Sequence, residues 1–549
     1  MSNFLRTVNN LLSHKRASFY IIVLCILSKS VLISFYSYTG KDKIYSLSAS
    51  YNLLHGKGWT NSFFYLNDLD TEVLEPFCFW PAGYGLLITP FQFFFGTDIF
   101  LATTFFEICC FIVFILLCRA ILKTQGLSRS WLNISTVLLA FSSHDFIEAS
   151  LGTDLLALDF ILSFFYAAIR IWSNNDKQSA GKFGVVAGLC LFLAGFTRYV
   201  YVPVSLFTIV VLLVLSFVKK NKWAVRGYLV SSIICFAGLL VAMIFQQNLC
   251  GSPFYTGVDT KGFFPAHLSY WHPAVIAAFV DLNLVPVQLG KYTAVSYSSW
   301  MQLFSWVNLM LYVTILIVAC NFFYKKLRSQ KADLPVFIAG GFVLSAAIVG
   351  GLALLSLTHD VKYTLSGNAW SFIMEGRYHA FPVLFIQLLA LTIIAKKNDL
   401  LRLKGFPLII ISLLFVLLLA NSIHQGYYTL KVALNYTAMK KAAVREQDYV
   451  YFEALLRQTI KDNPGKDILV ASSDKYYPLL ASMHKQKGIG NPYELDSQIL
   501  TVKKPAVLFT VIFGPEKHRY TNYLKNSGAR LVKEVAGTEI FMQTIDPQP

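Results

Sequence analysis

The sequence predicts an all-α polytopic membrane protein of about eleven transmembrane helices, ending in a small extracytoplasmic α/β domain. Three observations carry that expectation. Of the 549 residues, 55% are hydrophobic and only 14% are charged, whereas a soluble chain holds about a quarter charged residues. Apolar runs near or above about 18 residues recur along the chain, each long enough to cross a bilayer. Basic residues fall in clusters between alternate runs, as the positive-inside rule requires. The clusters are Arg6, Lys15 and Arg16; Arg119, Lys123 and Arg129; Lys177 and Lys182; Lys219, Lys220, Lys222 and Arg226; Lys325, Lys326, Arg328 and Lys331; and Lys396, Lys397, Arg402 and Lys404. The net charge of +17 would suit a nucleic-acid partner. Its confinement to alternate loops instead encodes topology, with the anionic inner surface of a membrane as partner.

In chain order the expected spans are 17–38, 98–122, 131–143, 151–172, 183–197, 199–218, 228–247, 300–322, 334–357, 379–395 and 406–421. A cytoplasmic amino terminus then puts every basic cluster inside and the carboxy-terminal segment outside. The first run is expected to stay attached, because its basic leader is long and no A-x-A-like site follows. The run PAGYGLLITPFQFFFG, 81–96, is short and interrupted by Pro81 and Pro90. Counting it as a span would invert everything downstream, so it is expected to lie at, or re-enter from, the outer interface. Domain 1–421 thus carries outer loops 39–97, 142–154, 248–299 and 358–378, and domain 422–549 follows. In the latter, ILVAS, AVLFTVIF, ARLVKEVA and TEIFMQTI read as strands separated by helical runs. This segment shows neither a phosphate-cradling glycine loop nor a nucleophile elbow, so it is expected to be a structural lid or an acceptor-docking module.

Seven of the nine cysteines lie in apolar runs and read as small hydrophobes. Cys78 and Cys250 fall in expected outer loops, where an oxidising periplasm permits a disulfide. Cα atoms more than about 7 Å apart would rule it out. No CxxC pair or zinc spacing occurs, and no outer His/Asp cluster has convincing ligand spacing, so no required cofactor or metal is expected.

Candidate functional residues concentrate on the outer side. The run GKDKIYSLSASYNLLHGKGWT, 40–60, sets Asp42 at the end of the first span. EPFCFWPAGYGLLITPF, 75–91, contains Tyr84. SSHDFIEASLGTD, 142–154, holds Asp145, Glu148 and Asp154. Arg198 lies in LAGFTRYVYVP and Arg377 in EGRYHAFP, each at a span end. A membrane chain keeps ionisable groups near hydrocarbon mainly for function. Bland readings stand beside these: a solvated loop charge for Asp42, a helix cap for Asp154, snorkelling for Arg198, a surface pair with Glu375 for Arg377, and interfacial belts for Tyr84 and the aromatics at 263–271. His144 beside Asp145 reads as a solvated turn.

With these motifs in order, the chain resembles the GT-C superfamily of membrane glycosyltransferases. The likeness is to bacterial members related to dolichyl-phosphate-mannose–protein mannosyltransferases and to the lipid A aminoarabinose transferase. The family's acidic residue, tyrosine and "A-x-N-L-L-x-G-x-G" run are matched by Asp42, Tyr45 and ASYNLLHGKG. Its "PPGYPLL" helix is matched by PAGYGLL, with Ala82 and Gly85 departing. Its "sP…SE-x-L" turn is matched by SSHDFIEASLGTDLL, with Asp154 where a glutamate is usual. Its "GLxxLTRP" element is matched by AGFTRYVYVP, with Tyr199 for the proline. The resemblance covers residues 17–220 well and later helices by pattern only.

The resemblance implies a GT-C fold in a bacterial inner membrane and inverting sugar transfer from a polyprenyl-phosphate donor. The acceptor would be a hydroxyl of a glycan, lipid or protein at the periplasmic face of the cell envelope. In that chemistry a carboxylate takes the acceptor proton, worth about 10²–10⁴-fold in rate, and a cation stabilises the departing phosphate. Asp42 is the expected base and Asp154 the supporting, acceptor-orienting acid. Arg377, Arg198 and Lys43 are candidate phosphate contacts, in that order, with Tyr45 and Tyr84 as further substrate contacts. The alternative is a transporter or flippase, which Lys29 and Glu107, each inside an apolar run, keep open. A third is a member that only binds polyprenyl lipid. An oligosaccharyltransferase is disfavoured because a WWD-type motif is missing.

Overall fold

The structure is a computed structural model. It describes residues 12–36, 42–78, 81–96, 99–142, 152–173, 176–253, 260–276, 279, 282, 285–327, 333–360, 373, 376–395, 406–439, 441, 448–472, 474–490, 495, 502–535 and 537–547. The helices are α1 (Lys15–Tyr36), α2 (Asp42–Leu54), α3 (Gly83–Phe95), α4 (Ile99–Thr124), α5 (Arg129–Ser142), α6 (Thr153–Ser173), α7 (Lys177–Thr197), α8 (Tyr201–Val218), α9 (Lys222–Cys250), α10 (Val285–Tyr292), α11 (Tyr297–Leu327), α12 (Asp333–Thr358), α13 (Ala380–Ala395), α14 (Phe406–Leu434), α15 (Asp448–Asp462), α16 (Tyr476–Met483) and α17 (Thr521–Asn526). The strands are β1 (Thr60–Tyr65), β2 (Asp68–Pro76), β3 (Thr260–Lys261), β4 (His359–Asp360), β5 (Asp467–Ser472), β6 (Lys487–Ile489), β7 (Ala506–Phe513), β8 (Arg530–Val535) and β9 (Thr538–Ile545). The chain divides into two units: residues 1–34, 107–247 and 256–431, and residues 35–106, 248–255 and 432–549.

The first unit is a helical bundle. Among the described residues of the whole chain, nine helices are long and apolar enough to cross a membrane, and the protein is an integral membrane protein. Two further spans were expected from the sequence, at 131–143 and 406–421. The first of these is α5, described over 14 residues. The second is the 29-residue α14. Helix α13 is apolar all round and buried at every position from Ala380 to Ile393, as expected of a bundle's central helix. Helix α7 meets α9 through small residues. A Cβ at Gly184 would stand 2.6 Å from the Gly227 carbonyl oxygen, and one at Gly188 2.6 Å from that of Ser231. The Ser231 hydroxyl donates to the Gly184 carbonyl at 3.0 Å, so the glycines allow a backbone approach that any larger residue would block. Lys29 and Glu107 are both buried in this unit, as is Asp159 of α6, consistent with charges at membrane depth facing the bundle interior.

The second unit is built on a seven-stranded sheet of order β2-β1-β6-β5-β7-β9-β8. β6, β5 and β7 run parallel, while β7, β9 and β8 alternate antiparallel. β7 is buried along almost its whole length, as a central strand should be. Its side chains alternate between two cores. Phe509 packs edge-on to Phe452 of α15 at 5.6 Å, and Phe452 meets Tyr477 of α16 at 5.2 Å. On the opposite face Leu508 shares a core with Tyr523 of α17, whose hydroxyl accepts from Thr510 at 3.0 Å.

The division differs from the sequence boundary at 421/422. The segment expected as outer loop 39–97 contains α2, the hairpin β1–β2 and α3, the last within the expected interfacial run 81–96. Its hairpin joins the carboxy-terminal sheet through Phe64 paired with Ile489 and the Gly490 amide donating to the Phe64 carbonyl at 2.8 Å. Ion pairs reinforce the seam: Lys475 with Glu75 at 3.4 Å and Lys503 with Asp70. Helix α3 has 13 residues, about 20 Å, too short to span. It turns Gly83, Tyr84, Gly85, Ile88 and Gln92 inward and leaves Phe93 and Phe94 exposed, the pattern of an interfacial helix.

Cys78 and Cys250 form the anticipated disulfide, with Cα atoms 5.7 Å apart across a separation of 172 residues. Closing so long a loop restricts the unfolded chain, and removing such bonds costs about 2–5 kcal/mol. Cys78→Ser and Cys250→Ser should therefore each lower the melting temperature of the purified protein, and the double variant should lose no more than either alone. Unchanged melting would show that the bond carries no stability.

Candidate active site

In the first unit the chain gathers three of the candidate residues. Gly152, at φ +85°, makes the turn into α6 and its carbonyl accepts from the Leu156 amide at 3.2 Å, which sets Asp154 in the first turn. Helix α7 ends at Thr197. Arg198 follows in extended conformation (φ −146°, ψ 121°), its amide still donating to the Ala194 carbonyl, and Pro203 sits within the first turn of α8 where its missing N–H costs nothing. The break aims the Arg198 side chain at Asp154. Nε donates to Oδ1 at 2.6 Å and Nη2 to Oδ2 at 2.7 Å, and both side chains are only 5% exposed. This is a bidentate, charge-assisted pair.

Arg377 comes from the short 3-10 turn Gly376–His379 that leads into α13. Its Nη1 stands 3.8 Å from Asp154 Oδ2, and its side chain is 26% exposed. The Tyr378 ring lies beside both arginines, with guanidinium carbons 5.3 Å (Arg198) and 5.2 Å (Arg377) from its centroid. Two guanidiniums against one carboxylate leave one net positive charge, and Arg377 is the partner that reaches solvent. Arg198 gives Asp154 two hydrogen bonds and so orders the cluster. Tyr199, where the family motif has proline, accepts a hydrogen bond from Gln246 Nε2 at 2.7 Å. Burial pushes its phenol up to about 12, so it stays neutral and ties the α7–α8 junction to α9.

The remaining candidates lie in the second unit. Asp42 is the first residue of α2. Lys43 is only 5% exposed, so it is not a free surface cation. The Tyr45 ring packs edge-on to Tyr476 at 4.9 Å. Tyr84 is fully buried and packs edge-on to Phe106 at 5.5 Å. A buried ring offers no face to a sugar, so the expected substrate contact at Tyr84 is not what this site provides. The cause is α3 docking on α2. Gln92 Nε2 donates to the Leu47 carbonyl at 3.1 Å, and a Cβ at Gly85 would lie 2.5 Å from the Trp59 ring, which turns the neighbouring Tyr84 inward. His144, Asp145, Glu148 and Glu375 lie outside the described residues. Among the described residues no three His, Cys, Asp or Glu side chains are grouped as metal ligands. Sequence reasoning missed Tyr378, although it adjoins Arg377 in EGRYHAFP, and Tyr476, for which no local signal exists.

No protein-family model and no curated protein matches this sequence. Solved structures do. The lipid A aminoarabinose transferase ArnT of Cupriavidus metallidurans, bound to undecaprenyl phosphate, superposes with a TM-score of 0.50 at 9% identity, covering 95% of this chain and 97% of that one. The apo form of that enzyme gives 0.42 at 10% identity with the same coverage. The Archaeoglobus fulgidus oligosaccharyltransferase gives 0.49 at 11% identity over 96% of this chain and 74% of that one. The likeness to ligand-bound ArnT shows the fold: the chain is built on the same membrane-helix architecture as that structure.

Proposed function

We propose that the protein is an inverting glycosyltransferase. It moves a sugar from a polyprenyl-phosphate donor to an acceptor hydroxyl at the outer face of a bacterial inner membrane. The observation that carries this reading is the cationic cluster of the partly exposed Arg377 beside the buried Asp154–Arg198 pair, in a chain with the fold of an enzyme crystallised with undecaprenyl phosphate.

In this reading the lipid tail of the donor stays in the bilayer. Arg377 meets its phosphate and stabilises the charge that grows as the phosphate leaves. Asp154 holds Arg198 and steadies Arg377, and the Tyr378 ring packs against both cations. Asp42 accepts the proton of the acceptor hydroxyl as that oxygen attacks the anomeric carbon. The bond from the anomeric carbon to the phosphate oxygen breaks, its electron pair leaves with the phosphate, and attack from the opposite side inverts the anomeric centre. The products are the glycosylated acceptor, polyprenyl phosphate and one proton on Asp42. The test is the purified protein with a labelled polyprenyl-phosphate-linked sugar and membrane-derived acceptors. The reading requires release of polyprenyl phosphate together with label in the acceptor. Movement of intact donor across a vesicle membrane without release would instead favour a flippase, the role to which the buried Lys29, Glu107 and Asp159 would then belong.

The same reading puts the amino terminus inside and the carboxy terminus outside. The alternating basic loops support it, and so does a disulfide in the second unit, which suits an oxidising compartment. Reporter fusions at Leu401 and at Pro549 should report opposite sides of the membrane. Both on one side would refute this orientation.

A further inference from the structure

Helix α2, which begins at the proposed base Asp42, is held on several sides within its own unit. Toward α3, Ser50 and Thr89 share a hydroxyl hydrogen bond at 2.8 Å, and Gln92 holds the Leu47 carbonyl. Toward β1, Asn52 Nδ2 donates to the Thr60 carbonyl and to the Ser62 hydroxyl, each at 2.9 Å. These contacts grip the helix from Leu47 to Asn52. Its first turn is met differently, by the edge-on contact of Tyr45 with Tyr476 at 4.9 Å.

Tyr476 belongs to the carboxy-terminal segment and stands on a fixed turn. The Asp474 amide donates to the Ser472 hydroxyl at the end of β5, and the Tyr476 amide donates to Asp474 Oδ1. Helix α16 is seated tightly on the sheet, since a Cβ at Gly488 of β6 would lie 2.2 Å from the Pro478 carbonyl oxygen. β5 pairs with β6 on one side and β7 on the other. Residues 474–476 are thus tied to the end of β5, and α16 is seated on the sheet.

We infer that Tyr476 is a positioning residue: through Tyr45 it fixes the first turn of α2 and with it the placement of Asp42. The inference rests on the functional reading above. It assigns the carboxy-terminal α/β segment a part in the chemistry as the frame of the base-bearing helix. A displacement of about 1 Å in a catalytic group costs on the order of 10²-fold in rate, so a lost ring contact at one remove should matter without touching substrate.

The test compares Tyr476→Ala, Tyr476→Phe and the control Phe541→Ala in the full-length protein. Phe541 lies in β9 and shares a core with Ile512 and Tyr520, with no part in the grip on α2. Each is measured for kcat and donor KM in the transfer assay and for melting temperature. Tyr476→Ala should lower kcat about 10–100-fold with donor KM unchanged, and Tyr476→Phe, which keeps the ring, should restore it. Phe541→Ala should lower the melting temperature and leave kcat alone. In an Asp42→Asn background Tyr476→Ala should cost nothing more, because its effect runs through the base. Undiminished kcat in Tyr476→Ala, an equal loss in Phe541→Ala, or a further full loss in the Asp42→Asn background would each overturn the inference. Should Asp42→Asn transfer normally, the functional reading itself has failed. Hydrogen exchange of peptides covering 43–46 still decides the contact, since Tyr476→Ala must speed exchange there, and unchanged exchange overturns the positioning role too.

Discussion

Asp154→Ala should destabilise the helical bundle by about 3–5 kcal/mol, the usual cost of removing one partner from a buried pair. The carboxylate receives both Arg198 hydrogen bonds where the two side chains are almost without solvent. Its removal leaves a buried guanidinium with its main charge partner gone, beside a second guanidinium from Arg377. Arg198→Ala should cost less, because Arg377 already lies 3.8 Å from the same carboxylate and can close on it. Arg198→Ala combined with Arg377→Ala should then exceed the sum of the single effects, as expected of residues in one network. Replacing the pair together, Asp154→Leu with Arg198→Met, should recover most of the stability, since matched apolar side chains often equal or exceed a buried ion pair. Thermal melting of the purified variants measures all four. Equal losses for Asp154→Ala and Arg198→Ala would show that Arg377 takes no part in the pair.

Much of this architecture is legible in the sequence, and the failures have physical causes. AVLFTVIF and TEIFMQTI mark β7 and β9 directly, because a buried strand must be apolar and β-branched or aromatic along its length. TNSFFY and DLDTEVLEP carry no such signal. They pair mainly with each other in a hairpin, and β1 joins β6, from the far end of the chain, at Phe64 and Ile489, a partnership that no local periodicity encodes. The pattern of α3 betrays an inward face, but not that Tyr84 would lie on it. Asp154, Arg198 and Arg377 each stand out singly as ionisable residues at span ends. That they form one cluster depends on a helix break after Thr197 and a 3-10 turn before Ala380, which backbone geometry decides. Position permits the disulfide, since both cysteines lie in expected outer loops, but the folding that brings them within 5.7 Å is not written locally.

Asp42→Asn is the substitution with the greatest expected effect on the reaction. Asparagine keeps the size and polarity of the side chain and can stand at the start of a helix as aspartate does, so α2 should form unchanged. What it cannot do is accept a proton. If Asp42 is the base, turnover falls by about two to four orders of magnitude, while donor binding persists or improves as repulsion between carboxylate and phosphate disappears. Arg377→Ala should differ by weakening donor binding as well as turnover, because a phosphate contact acts in both the ground and the transition state. A merely solvated aspartate would produce neither effect, since surface substitutions away from special features shift stability by no more than about 0.5 kcal/mol. The most direct measurement is transfer of labelled sugar from a polyprenyl-phosphate donor by purified Asp42→Asn protein, beside wild type of equal melting temperature. The account predicts donor binding retained and transfer reduced at least about a hundredfold; transfer at the wild-type rate would remove Asp42 from the mechanism and contradict the account.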